Sequence, residues 1–484
     1  RKITEYKQTE EISGVKIIFW GNEVRDHERH SGFLSACFFL IITYARAQKF
    51  GDAVLMYQWN RLEFDWQSNA QKEDALLNET YIPERSLLAG VKLYKGQVYL
   101  TTPRWRWPNG IPVVLARVVK VNNKDILRPY PNWEAQKQGD CNALQYVQSM
   151  EIDPNTGLMY VIDTGRIAHS INLCPAKIVV YDLKNDNMVD KYEFPDSVVN
   201  SSSCFLNDLV LDYIDGVASY VYISNTFEST IVVYNIRARS SYKIAHPTMG
   251  PEGNNSEYIT INGVTYNFPM PVNGIAMSYD FNYVYYSSLA GYNLHQVPTA
   301  TLRNINAGTA GIRTVGRKTS QTDGLAHGEK YLYYGAIGLS AVYYWDKVKD
   351  LYDQKISEGQ VKMITQVELK GDNRTMEWPD TFAFDGEGWL WVVTSRLQVY
   401  WMQSGLPETG DPYLRIWKIY VNESSYLDKA DLRTKTSSAV TTAGTGNNGG
   451  NNARTIFPFM METRASLFLI VFISLCTFIT SLVI

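Results

Sequence analysis

QSMEIDPNTGLMYVIDTGR, residues 148–166, decides the fold of this 484-residue chain. Two apolar runs flank the turn-forming stretch Asp153-Pro154-Asn155-Thr156-Gly157, which is the pattern of a β-hairpin with buried strands. The same pattern recurs. GVKLYKGQVYLTTPR begins at Gly90, NDLVLDYIDGVASYVYISNT at Asn207, NGIAMSYDFNYVYYSSL at Asn273, DGLAHGEKYLYYGAIG at Asp323 and DTFAFDGEGWLWVVTSR at Asp380. Successive starts lie 58, 59, 66, 50 and 57 residues apart, and self-similarity at such a period marks a repeat architecture. Each unit has room for two further strands, of which KIVVYDL (Lys177–Leu183) and TIVVYNI (Thr230–Ile236) are examples. Six four-stranded units predict an all-β fold, a six-bladed β-propeller, whose ring closure protects the sheet edges. Val54–Phe64 and Tyr413–Val421 are strand-like flanks placed to complete one blade from both ends. The competing arrangement is a β-sandwich array, which does not require six similar units.

Working outward, the two ends differ from the body. The apolar run FLSACFFLII (Phe33–Ile42) follows Arg25, Arg29 and His30 and precedes Ala45-Arg46-Ala47. Charge, length and the small residues together predict a secretory signal peptide, too short to span a bilayer; a buried core strand is the plainer reading. Residues 1–47 are therefore expected to be an upstream segment and leader, and 48–430 the propeller. Residues 431–464 have the Thr/Gly/Asn-rich composition of a flexible spacer. The uncharged stretch ASLFLIVFISLCTFITSLVI, residues 465–484, is long enough to cross a membrane. Small residues, spacer and hydrophobic tail come in the order of a GPI signal, with a retained transmembrane helix as the alternative. The expected location is thus secreted or on the outer face of the plasma membrane. Asn-x-Ser/Thr glycosylation triplets stand at Asn78, Asn200, Asn254, Asn373 and Asn422.

The net charge of −3 comes from 46 basic and 49 acidic residues spread along the chain, so there is no basic footprint for nucleic acid. Cysteine usage is sparse. Cys37 and Cys476 lie in the apolar ends, which leaves Cys141, Cys174 and Cys204 in the body. With no C-x-x-C pair, a thiolate zinc site is disfavoured, and one disulfide plus a leftover thiol fits an oxidising compartment.

Several stretches resemble the yellow / major royal jelly family: YIPERSLLAGVKLYKGQVYLTTPRWRWPNGIP (Tyr81–Pro112), PYPNWEAQKQGDCNALQYVQSMEID (Pro129–Asp153), MYVIDTGR followed by CPAKIVVYDL, then EWPDTFAFDGEGWLWVVTSRLQ and YLRIWKIYV. The most specific element is Pro103-Arg104-Trp105-Arg106, followed by NGIP. The resemblance covers nearly all of residues 50–422 and implies a six-bladed propeller. Members commonly carry four cysteines, and Cys141 and Cys174 match two of them. The resemblance then implies a Cys141–Cys174 disulfide with Cys204 spare; a Cys174–Cys204 bond is the alternative. It also implies biogenic-amine binding, links to pigmentation and cuticle, and in some members dopachrome conversion.

No G-x-S-x-G, H-E-x-x-H or phosphate-binding lysine loop is present. The G-x-G-x-x-G match at Gly444 lies in spacer composition. His169, His246, His295 and His327 have no dyad spacing. The propeller itself points to a channel mouth where strand ends from different blades converge. Candidates at strand starts are Asn207, Asp208, Asn273, Asp323 and Asp380; at hairpin ends they are Thr102, Asp163, Asn225, Ser288 and Ser395. The plain alternative is that these residues simply make turns. Of these, Thr102, Asp163, Asn225, Asn273, Ser288, Asp323 and Ser395 form the expected ligand set. The expected ligand is a small aromatic amine or catechol held by carboxylate and amide groups, with Tyr or Trp faces on the ring. No cofactor is expected on this reading. Tautomerisation of dopachrome would need a positioned base, for which Asp163 or Asp323 is placed.

Two other functions remain open. Asn207, Asn273 and Asp323, with Glu151 as a fourth group, resemble the calcium turns of gluconolactonase-like propellers, where Ca²⁺ would polarise a lactone carbonyl. A structural or adhesion protein without a small ligand is the third reading.

Overall fold

In the computed structural model, each of the six quoted hairpins forms the two innermost strands of a four-stranded antiparallel sheet. The residues described are 2–12, 15–25, 39–42, 50–402 and 410–428. The innermost strands are Val91–Tyr94, Val147–Asp153, Leu206–Ile214, Val272–Met277, Leu325–His327 and Pro379–Phe384, in blades one to six. Each packs beside the next, and the sixth returns to the first, so the ring closes as a six-bladed propeller.

The second blade shows why the sequence folds this way. Val147–Asp153 is buried throughout, and Leu158 pairs with Asp153 across the turn. Asp153 shapes that turn by accepting from Asn155 N at 2.9 Å and Thr156 Oγ1 at 2.6 Å. Gly157 supplies the positive φ of 77° that closes it. The third strand, Lys177–Asp182, is buried, while the outermost, Asn187–Glu193, is mostly exposed. Hydrophobicity thus falls from the channel to the rim within each blade, and the core lies between blades.

The ring is closed by the first and last segments of the body. Leu414–Tyr420 pairs with Trp389–Thr394 on one side and with Ala53–Trp59 on the other. The outer strand of the sixth blade therefore comes from the start of the propeller, as the two flanks suggested. The early flank is shorter than expected: Phe64 leaves it and bridges Leu127 in the first blade. Cys141 and Cys174 form a disulfide spanning 33 residues, and Cys204 is free and buried.

Ahead of the propeller, Lys2–Ile12, Val15–Arg25 and Phe39–Ile42 form a three-stranded antiparallel sheet. Phe39–Ile42 falls within the expected leader; the Ala45–Ala47 cleavage pattern, the spacer from 431 and the tail at 465–484 lie outside the described residues. Among the described residues no helix is long and apolar enough to cross a membrane. Asn78, Asn254, Asn373 and Asn422 are exposed and Asn200 is half-buried.

Candidate functional site

Where the innermost strands begin, the channel opens into a cavity of about 470 Å³, within the range of small-molecule sites. Its floor is polar and comes from strand starts. Asn207 Nδ2 donates to Asn273 Oδ1 at 2.5 Å, and the Asn273 side chain in turn bonds Asp323. Asp323 Oδ2 also accepts from Trp378 Nε1 at 2.7 Å. Three blades thereby tie their first residues into one chain ending on a carboxylate. The strands approach so closely here that a Cβ on Gly274 would overlap the Asp323 carbonyl oxygen, which accounts for glycine after Asn273 and after Asp323.

The wall is aromatic and comes from connections rather than strands. Ring contacts run Tyr146–Phe205 at 5.8 Å, Phe205–Phe227 at 4.8 Å, Phe227–His169 at 5.6 Å and His169–Trp401 at 5.3 Å. They continue through Trp401–Phe268 at 6.5 Å to Phe268–Trp378 at 5.0 Å. Trp105 completes the lining, its Nε1 donating to Gln148 Oε1 at 2.8 Å. Burial together with the nearby Arg166 guanidinium lowers the pKa of His169, so its ring at the rim is held neutral.

The Pro103-Arg104-Trp105-Arg106 motif builds this wall. Arg104 is buried and donates to the Ile111, Gln136 and Gln145 carbonyls, and desolvation lowers its pKa to about 10. That anchor fixes the loop that presents Trp105. Arg106 Nη1 reaches across to the Trp401 carbonyl at 2.6 Å and so holds the short helix Leu397–Met402 that carries Trp401.

Burial is the largest influence on Asp323. It pushes the pKa up to about 7, against the Trp378 bond, with the Asp208 carboxylate adding to the rise. A base near neutral pH, inside an aromatic wall, can accept a proton from a bound ring or pair with an ammonium.

Of the expected ligand residues, Asn273 and Asp323 line this cavity together with Asn207. The hairpin-end residues lie elsewhere and hold the blades. Asp163 accepts from Gln145 N, Tyr146 N and Gly165 N, each at 2.8 Å, and pairs with Lys177 at 3.0 Å. Thr102 donates to the Val113 carbonyl, and Ser288 to the Gly250 carbonyl at 2.6 Å. Asn225 accepts from Phe205 N at 2.9 Å and donates to Glu228 at 3.0 Å. Ser395 is buried outside the cavity, with its backbone N–H on the Glu377 carbonyl. A search for polar strand ends passes over Trp105, Phe268, Trp378 and Trp401, which lie in loops and a short helix; the Pro103–Arg106 motif was the available pointer to the first.

The calcium donor set is thin. Asn207 and Asn273 bond each other, and two amides with one carboxylate fall short of the six or more oxygens that Ca²⁺ takes. Among the described residues no three His, Cys, Asp or Glu side chains are grouped to hold a metal.

The opposite channel mouth is a second cavity, of about 600 Å³, lined by Lys92, Glu151, Asp208 and the segment Ser425–Asp428 among others. Lys92 pairs with Glu151 at 2.8 Å, and Ser149 Oγ donates to Asp208 at 2.8 Å.

Residues 146–424 match the family model of the major royal jelly proteins. The chain belongs to the major royal jelly protein family. Among relatives in this family, a dopaminechrome tautomerase of Drosophila melanogaster is 27% identical over 262 residues, covering 52% of this chain and 56% of that protein. Protein yellow of Drosophila subobscura is 28% identical over 263 residues, covering 51% of this chain and 45% of the relative. The chain thus spans about half the length of the curated relatives it matches. Among solved structures, the PQQ-bound aldose sugar dehydrogenase of Streptomyces coelicolor is similar at a TM-score of 0.41 and 11% identity, covering 76% of this chain and 98% of that one.

Proposed function

We propose that this propeller binds a small aromatic amine or catechol-type ring in the aromatic cavity, outside the cell. The observation that carries the reading is Asp323, a buried carboxylate on the floor of a cavity walled by Trp105, Phe268, Trp378 and Trp401. A flat ring gains from stacking on such walls, by about 0.5–1.5 kcal/mol per aromatic pair beyond area burial. An ammonium gains further from the aromatic faces and from an ionised Asp323. The Cys141–Cys174 disulfide and the exposed Asn-x-Ser/Thr triplets support an oxidising, exported setting. Titrating dopamine, serotonin and plain catechol by calorimetry tests the reading. Asp323→Asn is expected to weaken the two amines at least tenfold, on the order of 1.4 kcal/mol, and to leave catechol nearly unchanged. Absence of binding by all three ligands sinks it.

A second reading is favoured by the raised pKa of Asp323 and by the relative named dopaminechrome tautomerase. Tautomerisation of an aminochrome moves a proton from a ring carbon to a quinone oxygen, with no net gain or loss of electrons. Asp323 would take the carbon proton as general base while the electron pair moves into the ring, and a quinone oxygen is protonated from solvent. Conversion of dopaminechrome followed by absorbance, lost in Asp323→Asn, distinguishes catalysis from binding alone.

A further inference from the structure

The innermost strand of the third blade sends consecutive residues to opposite mouths: Asn207 lines the aromatic cavity and Asp208 the far one. The two cavities share no lining residue, so the far mouth, of about 600 Å³, is a candidate site in its own right. Asp208 Oδ1 is occupied, accepting from Ser149 Oγ at 2.8 Å and from Leu209 N at 2.9 Å. Its Oδ2 receives no hydrogen bond from the described residues and is not sealed inside the protein. The cation that acts on it, Lys92, is committed to Glu151 at 2.8 Å. Three lysines and five carboxylates line this mouth. A half-buried carboxylate with no counter-ion of its own, in a mouth of that sign, calls for a cation from outside.

We propose that the far mouth binds a small aliphatic amine, with its ammonium group on Asp208 Oδ2. The donor set favours an ammonium over a metal ion. Among the described residues no three His, Cys, Asp or Glu side chains are grouped to hold a metal, whereas an ammonium brings three donors of its own and needs no shell of oxygens. The lining also offers apolar surface to a hydrocarbon body, from the half-buried Leu93, Ala326 and Phe384. Trp391, the largest ring at this mouth, is 5% exposed and already meets Lys418 at 5.7 Å, so an aliphatic body suits the mouth better than a flat ring. Burial pushes the Asp208 pKa up to about 6, with Lys92 and the Ser149 bond acting against the rise, which leaves the carboxylate ionised at pH 8. This site and the aromatic one are independent, and either can hold without the other.

Ligand-detected NMR titration with n-pentylamine and 1-pentanol at pH 8 tests the site, in phosphate because Tris is itself an amine. The wild type is expected to bind n-pentylamine saturably and 1-pentanol at least about tenfold more weakly. Asp208→Asn should weaken n-pentylamine by about tenfold or more, and Asp323→Asn should leave it unchanged. Lys92→Gln should tighten it severalfold, because Glu151 then faces the mouth as a second unpaired carboxylate. That gain is a result that damage to the fold does not produce, so it judges the site even if Asp208→Asn fails to fold. No saturable binding by the wild type, equal affinity for the alcohol, or no gain in Lys92→Gln overturns the proposal. Loss in Asp323→Asn with retention in Asp208→Asn also overturns it, and places the amine in the aromatic cavity instead.

Discussion

Replacing Trp378 by Phe removes one hydrogen bond from the floor of the cavity while keeping an aromatic ring against Phe268. Trp378 is fully buried, meets Phe268 edge-on at 5.0 Å, and donates to Asp323 at 2.7 Å. A hydrogen bond to an ionised acceptor contributes about 1.5–3 kcal/mol, which is about ten- to a hundredfold in the ionisation equilibrium of Asp323. With its pKa at about 7, Asp323 is about half ionised at neutral pH, and the variant would leave about a tenth or less in that form. An amine that recognises only the ionised carboxylate then binds about five- to fiftyfold more weakly at pH 7. At pH 9 Asp323 is almost fully ionised in the wild type and at least about half ionised in the variant, and the gap closes to about twofold or less. Tyramine suits the measurement because its single phenol resists alkaline oxidation, and comparing the two proteins at each pH cancels titration of its amine. An equal loss at pH 7 and pH 9 would mean that Trp378 acts through packing alone. No loss at pH 7 would remove Asp323 as the partner of the ammonium.

Cys141→Ser opens a loop of 33 residues and is expected to destabilise the propeller by about 3.5 kcal/mol on the chain-entropy account; calorimetry should show a melting temperature lower by several degrees and insensitive to reductant. Glu423 accepts from Lys330 N at 2.8 Å and Tyr333 Oη at 3.0 Å, and burial pushes its pKa up to about 7. The folded state therefore holds a proton that the unfolded chain has lost above about pH 4.3, and stability drains away as pH rises through 7. Glu423→Gln is expected to gain on the wild type in stability from pH 5 to about 7, by on the order of 3 kcal/mol, and then to level off, read as a widening melting-temperature difference; a constant offset would refute this.

The ring was legible because its signal is repeated. A lone run such as Thr230–Ile236 does not separate a strand from a buried helix, but six hairpins at similar spacing leave few architectures that use them all. Closure by Ala53–Trp59 was legible for the same reason, since the last hairpin lacked a partner strand that the early flank supplied. The site was legible only where backbone and chemistry coincide. Asn207, Asn273 and Asp323 stand where strands begin at the aromatic mouth, and their position along the repeat carries them into the channel. Asp163 and Asn225 occupy equally regular positions, yet they satisfy backbone N–H groups where one blade meets the next connection. Period alone does not separate the two roles, because an Asp that caps a turn and an Asp that faces a ligand are the same letter at the same spacing. The aromatic wall had no period at all. Trp401 reaches the mouth because Arg106, some three hundred residues away in sequence, holds its helix by the carbonyl.

The two mouths of the channel differ because the chain treats its two ends differently. At the strand starts, long connections rise around the opening and leave a cavity that a ring can enter. At the strand ends, the segment after the last blade crosses back over the channel. Glu423 grips the fifth blade through Lys330 and Tyr333. Tyr426 then accepts from Leu211 N of the third blade at 3.1 Å and packs on Phe281 at 5.6 Å. Satisfying the Leu211 N–H in this way covers an inner-strand edge that otherwise faces the channel. The strap therefore lines the far mouth with groups that also stabilise the ring, whereas the opposite cavity is walled by aromatic rings. Asp323 stands on the floor of that cavity, tied through Asn273 to Asn207.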